Sequence, residues 1–336
     1  MSIRLFVVLG LIFTVCGCQQ KETDPAPILS GEFLGQPLPT DGAVLFAPGT
    51  VNRGLPCRDL AIHPDGDEIL WCEQIGNFRH SVILRSLRIN GSWSEPETAP
   101  FSGDPRWQDI EPAVAPDGHT LYFASNRPAD GHGDAEDHHA VWAVDHNGDD
   151  WGSPRRLPDE VNDGDTFFPS PTRDGSLYIT RDQPDGTSVI YRCRPEGDGY
   201  ATAELLPSQV NAGRTRFNAM IAPDESYLIV PIFGLDDSLG GVDYYLVRRN
   251  PDDTWHDPVH LGGEMNTVSR QEWSTSLSPD GAYLFFMSDR PDTALVTGAH
   301  LTPARLRDLH NSPGTGQTGI WWIPTQRLPG FGIDES

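Results

Sequence analysis

Positive charge is scarce in this sequence. Lys and Arg number 24 against 48 Asp and Glu, a net of -24. Such a field repels nucleic acid and anionic lipid, and excludes binding either through the chain's own electrostatics. Long hydrophobic runs are also missing. The one run, Leu5 to Val15, is too short to span a bilayer comfortably. No P-loop, dinucleotide glycine pattern, zinc-protease helix or Gly-x-Ser-x-Gly elbow occurs, which leaves the nucleotide, dinucleotide, zincin and α/β-hydrolase chemistries without their signatures. The 11 His are mostly isolated on predicted loops. Cysteine is sparse, with 5 in 336 residues.

Turn formers are plentiful. Gly 34 and Pro 30 make up about a fifth of the chain, which points to many short strands joined by turns. The opening "MSIRLFVVLGLIFTVCGC" has one basic residue followed by the apolar run, and residues 1–17 read as a signal peptide. Its end, Val15-Cys16-Gly17-Cys18, resembles the lipobox of bacterial lipoproteins. The resemblance implies a lipid on Cys18 and, with Gln19 following, sorting to the outer membrane of a Gram-negative envelope. Residues 18–41, rich in Pro, Thr, Gln and Gly, read as a tether. Beyond the leader, Cys57 and Cys72 flank the turn "HPDGDE" at similar distances. In an oxidising compartment they are expected to pair across a hairpin, with Cys193 free.

A turn built around Asp with a following apolar strand recurs five times, three of them as "PDG": "HPDGDEILWCEQ", "APDGHTLYFASNRP", "TRDGSLYITRDQ", "APDESYLIVPIF" and "SPDGAYLFFMSDRP". The turn residues Asp65, Asp117, Asp174, Asp224 and Asp280 stand 52, 57, 50 and 56 apart, a period of propeller-blade size. Pro presets φ, Asp bonds the backbone ahead of it, and Gly accepts φ > 0. A third strand ("AVWAVDH", "SVIYRCR", "GIWWIPT") and a fourth follow the apolar one, so each unit is a four-stranded antiparallel blade. The fifth unit stops after its third strand. "AVLFAPGTVNRG" near the N-terminus resembles the fourth-strand segments "PRRLPDEVNDGD" and "PVHLGGEMNTVS", and is expected to close the last blade and remove two open edges. The expected fold is an all-β, five-bladed propeller over residues 42–328 with a tail at 329–336; a six-bladed ring is the alternative. Residues 292–317 interrupt the fifth unit, and "TPARLRDL" within them predicts a short helix capped by Thr302.

"SPDGAYLFFMSDRP", with "DIEPAVAPDGHTLYFASNRP" and "GEMNTVSRQEWSTSLSPDG", resembles the TolB-type, WD40-like propeller repeat of exported bacterial proteins. The resemblance implies binding to proteins or envelope components. It says nothing of chemistry.

In a propeller the first strand of each blade lines the channel, alternate residues facing it. Four positions before the turn Asp stand Ala61, Ala113, Ser170, Met220 and Ser276. Six before stand Asp59, Glu111, Phe168, Asn218 and Ser274, and eight before, Cys57, Asp109, Thr166, Arg216 and Glu272. Asp59, Asp109, Glu111 and Glu272 are thus expected to converge on one mouth, with Arg216 paired to one or two of them and Trp107, Phe167, Phe168 and Trp273 supplying stacking surface. Three functions suit such a mouth. One is a non-catalytic module for a protein, peptide or glycan, working as a monomer and meeting the membrane only through its lipid anchor. Another is a glycoside hydrolase or lyase with Asp59 and Glu111 as its carboxyl pair. The last is a Ca²⁺ site. Asp130, His132 and Asp134, in the charged loop "ADGHGDAEDHH", are weak candidates for a separate divalent metal.

Overall fold

In a computed structural model of the chain, residues 29–148, 150–292 and 300–331 are described. The expected signal peptide, the lipidation site Cys18 and the first part of the tether lie outside them. Five blade-sized antiparallel sheets follow the five turns in order. In the second blade Asp109–Val114, Thr120–Ser125, Ala140–Asp145 and Arg155–Arg156 lie side by side. The other inner strands are Cys57–Ile62, Thr166–Pro171, the split pair Thr215–Arg216 and Met220–Ile221, and Thr275–Leu277. The buried second strands are aliphatic and aromatic, as sheets covered on both faces require.

The ring closes as the strand count implies. Val44–Leu45 pairs antiparallel with Trp322 and Trp321 and supplies the fifth blade's outer strand. Asn52 locks this clasp: its Oδ1 accepts the Ile320 N–H at 3.1 Å, and its Nδ2 donates to the Ile320 and Phe46 carbonyls at 2.9 and 2.5 Å. Phe46 packs edge-on against Phe285 and Trp322, themselves stacked at 5.5 Å. Each such ring buries about 150–250 Å², worth roughly 4 to 6 kcal/mol of transfer free energy before ordering entropy is subtracted.

Asparagine staples recur. Asn162, Asn211 and Asn266 accept the N–H of Val141, Ile190 and Tyr244 and donate back to the carbonyl of the same residue. Each fastens the segment between blades to the preceding blade's third strand. In the first blade Ser102 takes this place, its Oγ accepting the Ile83 N–H.

Three expectations are corrected. Cys57 and Cys72 are both free and buried. Cys57 stands opposite Glu73 and Arg58 opposite Cys72, so the two thiols emerge on opposite faces of the sheet and sit in separate hydrophobic clusters. Burial pushes the Cys57 thiol up to about 12 and raises Cys72 too. The tether is docked from Leu29 onward, because Phe33 and Leu34 are apolar: Leu34 is fully buried, Phe33 packs on Tyr283 and Trp322, and Trp93 Nε1 donates to the Gly31 carbonyl at 2.8 Å. The side chains that face the channel also depart from the expected alternation. The helix Pro303–His310 forms as predicted, its N-cap Thr302 accepting the Arg305 N–H. Among the described residues, no helix is long and apolar enough to cross a membrane.

Candidate functional site at the propeller axis

The first strands do not alternate evenly. In the first blade Arg58 stands opposite Cys72 and Ala61 opposite Leu70, so Asp59 and Leu60 share one partner position; the second and third blades break at the same place. At the break Asp59, Glu111, Phe168 and Asn218 have φ of 56°, 60°, 48° and 49°. All four occupy the position six before the turn Asp. A left-handed residue in a bulge reverses which face the following side chains take, and for residues with a Cβ it is strained. The freed N–H groups are taken up by the neighbouring blade. Glu111 N donates to Cys72 Sγ at 3.3 Å, Phe168 N to Glu111 Oε2 at 2.7 Å and Asn218 N to Thr180 Oγ1 at 2.8 Å.

On the turn side of this ring lies a cavity of about 340 Å³. Ala61, Ala113, Ser170, Met220 and Ser276, the innermost positions read from the sequence, all line it, with Asp59, Glu111 and Phe168 deeper in. Thr275 Oγ1 and Ser276 Oγ in its wall have no hydrogen-bond partner.

Beyond the bulge the expected alternation is reversed, and the positions eight before the turn leave the channel. Asp109 turns into its own blade, where Arg127 Nη2 meets it at 2.5 Å and Ser125 and Ser102 donate to it. Glu272 is held the same way by Arg290, Thr267 and Ser288, and burial pushes its carboxyl up to about 7 against the pull of Arg290. Arg216 pairs with no acid; it donates to Asn211 Oδ1 and the Ala212 carbonyl. Trp107 lies off the axis, under the guanidinium groups of Arg106 and Arg127 at 4.6 and 5.2 Å. The mouth of four converging carboxylates is therefore not built.

Two carboxylates do meet at the axis, joined by a residue the sequence reading passed over. Arg58, seven before the turn, is 5% exposed. Its Nε lies 2.6 Å from Asp59 Oδ2 and its Nη2 donates to Glu111 Oε1 at 2.7 Å. Asn218 Nδ2 reaches the same Glu111 oxygen across the channel at 3.0 Å. Glu111 thus receives three donors. Burial pushes its carboxyl up to about 7, with Arg58 lowering it and Asp59 raising it. The axis charges raise the Arg58 guanidinium above its ordinary value despite burial. Lys21 is the chain's single lysine, so every cation available for these pairs is an arginine, whose rigid fork holds two acids at once.

On the far side of this plug Phe217 and Trp273, seven before their turns, come together, while Ile110 and Phe167 pack against hydrophobic clusters. Trp273 meets Phe217 edge-on at 6.0 Å and stacks on Phe78 at 5.6 Å and 23°, and the Arg58 guanidinium lies 5.8 Å from the Phe78 ring. Trp273 and Phe168 are therefore near the axis as expected, on opposite sides of the plug. Asp130, His132 and Asp134 are exposed, Asp130 accepting the His132 N–H. Among the described residues no group of three or more His, Cys, Asp or Glu is placed to hold a metal ion. Three signals could have exposed this arrangement: the spacing of 18 from acid to arginine in both Asp109/Arg127 and Glu272/Arg290, the Asn that recurs between blades at 162, 211 and 266, and a basic residue, Arg58, directly beside Asp59 on an inner strand.

No protein-family model and no curated protein matches this sequence. Solved structures do. A glycoside hydrolase aligns with 10% identity and a TM-score of 0.50, over 83% of this chain and 89% of that one. TolB from Acinetobacter baumannii aligns with 15% identity and a TM-score of 0.47, over 81% of this chain and 55% of that one. A GH43_1 enzyme from Xanthomonas citri gives 13% and 0.48, over 83% and 90%. This chain thus spans little more than half the length of that TolB. At these identities the likeness is one of fold. With five four-stranded antiparallel blades, the chain is a five-bladed β-propeller in fold.

Proposed function

We propose that the chain is a non-catalytic, envelope-anchored binding protein, tethered through Cys18, that takes a protein, peptide or glycan ligand at the channel mouth and the surrounding loops. One observation carries this reading: the two carboxylates at the axis, Asp59 and Glu111, are already neutralised by Arg58 of the same chain, while Asp109 and Glu272, turned away from it, are paired with Arg127 and Arg290. A hydrolytic pair needs one acid free to donate a proton and another free to meet sugar or water. Three donors already point at Glu111, so an O–H there would face one of them. The cavity beside it, with unpartnered wall hydroxyls, suits a bound group that supplies the missing hydrogen bonds.

A hydrolase remains the second reading, favoured by the Glu111 carboxyl at about 7, near the operating pH of a general acid. Capture of partners from envelope extract, followed by a glycan array, tests the binding reading. The same preparation is assayed for polysaccharide cleavage. Retention of a partner without cleavage supports a binding protein, and cleavage abolished by Asp59→Asn or Glu111→Gln overturns it.

A further inference from the structure

On the face opposite the Pro-Asp-Gly turns, a cleft of about 150 Å³ lies between the first and fifth blades, lined among others by Gln74, Phe78, Gln271, Gln317 and Thr318. Backbone bonds fix its walls: Gln74 N donates to the Pro56 carbonyl and Cys57 N to the Thr318 carbonyl, both at 3.0 Å. Two side chains in it lack partners. Gln74 is 5% and Thr318 7% exposed, and neither Gln74 Oε1 nor Thr318 Oγ1 makes a hydrogen bond. Buried polar atoms are seldom left so without something to bind.

The third wall element is strained. Gly76, Asn77 and Phe78 follow one another at φ of 67°, 54° and 67°. A bulky aromatic in the left-handed region is an outlier that its surroundings must hold. Gln108 Nε2 donates to the Phe78 carbonyl, Trp273 stacks on the ring, and Arg58 sits against it. The result is a half-buried ring fixed in the cleft wall.

A ligand that fits must offer O–H or N–H groups to Gln74 and Thr318, accept from amide N–H groups, and lay an apolar face on Phe78. No lining residue is basic, so an anionic group finds no counter-charge. The lining carboxylate, Asp289, already accepts the Arg270 and Gln271 N–H groups. A pyranose ring has the required pattern of equatorial hydroxyls around an apolar C–H face, and the cleft is of the size of one such ring. We propose that this cleft is a subsite for a neutral sugar residue of an envelope glycan. The proposal rests on the binding reading above and names its ligand class.

The test titrates the mature chain with neutral tetrasaccharides of glucose, xylose, mannose and N-acetylglucosamine, followed by calorimetry and by tryptophan fluorescence, since Trp273 backs Phe78. One of them is expected to bind and shift the emission. Thr318→Val and Phe78→Ala should each weaken it about tenfold or more, with Val259→Ala, on an outer strand, unchanged. Thr318→Val swaps an unpartnered hydroxyl for a methyl of similar shape, so an unchanged or higher melting temperature separates lost binding from lost folding. No binding of any tetrasaccharide, or binding that survives both substitutions, overturns the proposal. So does a peptide that binds instead and is lost in Phe78→Ala. If envelope partners are still captured after such a failure, the cleft falls and the binding reading stands; if capture fails as well, both fall.

Discussion

Replacing Arg58 by Met keeps most of its volume and removes the one cation among the described residues that is paired with Asp59 and Glu111. Both acids are then left at 5% and 3% exposure with no counter-charge. Breaking a buried pair from one side costs about 3–5 kcal/mol, and here two pairs share the arginine. Protonation limits the damage, because Glu111, already raised to about 7 with Arg58 pulling it down, rises further once that pull is gone. The loss should therefore be about 4 kcal/mol at pH 8 and clearly smaller at pH 5. At this chain length 4 kcal/mol corresponds to roughly 6 °C in melting temperature. Urea titrations at both pH values measure it. Arg58→Met with Glu111→Gln should recover part of the deficit, the coupling that a double-mutant cycle isolates. A loss under about 1 kcal/mol, or one independent of pH, would refute the plug as the element that holds the axis charges.

Glu111 and Glu272 both stand at about 7 in the fold against an ordinary 4.5. A raised carboxyl contributes stability that is complete below 4.5 and lost as pH rises through 7, so unfolding free energy should fall from pH 5 to 8, by at most about 3 kcal/mol per group; a flat profile in Glu272→Gln and wild type alike would contradict this. Asn162→Ala strips partners from the Val141 N–H and from the Val141 and Leu157 carbonyls and should cost on the order of 1–3 kcal/mol, whereas alanine at exposed Asp130 should change stability by less than about 0.5 kcal/mol. The thiols of Cys57, Cys72 and Cys193 are buried and raised, so they should resist alkylation in the native protein and all three should label after unfolding without reductant; a protected Cys57–Cys72 pair in unfolded protein would show a bridge after all.

The blades were legible because their information is local. Pro-Asp-Gly turns fix the hairpins, and apolar runs such as Thr120–Ser125 and Tyr283–Ser288 fix the buried strands. The clasp was legible because the fifth unit lacked a strand that residues 44–45 resembled. The innermost ring, from Ala61 to Ser276, followed from counting back four places, since no bulge intervenes. The count failed beyond six places, where a left-handed Asp, Glu, Phe or Asn resets the pleat and nothing in those residue types announces it. Hence Asp109 and Arg216 turned away from the channel and Arg58 and Phe217 turned in; in the fifth blade, where Ser274 is not left-handed, Glu272 is likewise held inside its own blade by Arg290. The cysteine pairing failed for a related reason: sequence distance from the turn does not give the one-residue offset that put Cys57 against Glu73. The pairing of Arg58 with Glu111 is a contact between blades, which a repeat period does not contain.

The most direct test of the account is a cleavage assay of the mature protein on the polysaccharide or partner it retains from envelope extract, run beside Asp59→Asn and Glu111→Gln. If the axis carboxylates are committed to Arg58, ligand is retained intact and neither substitution changes the product level from background. Product release by the wild type that disappears in either variant would mean that the pair at the axis is catalytic, and would contradict the account.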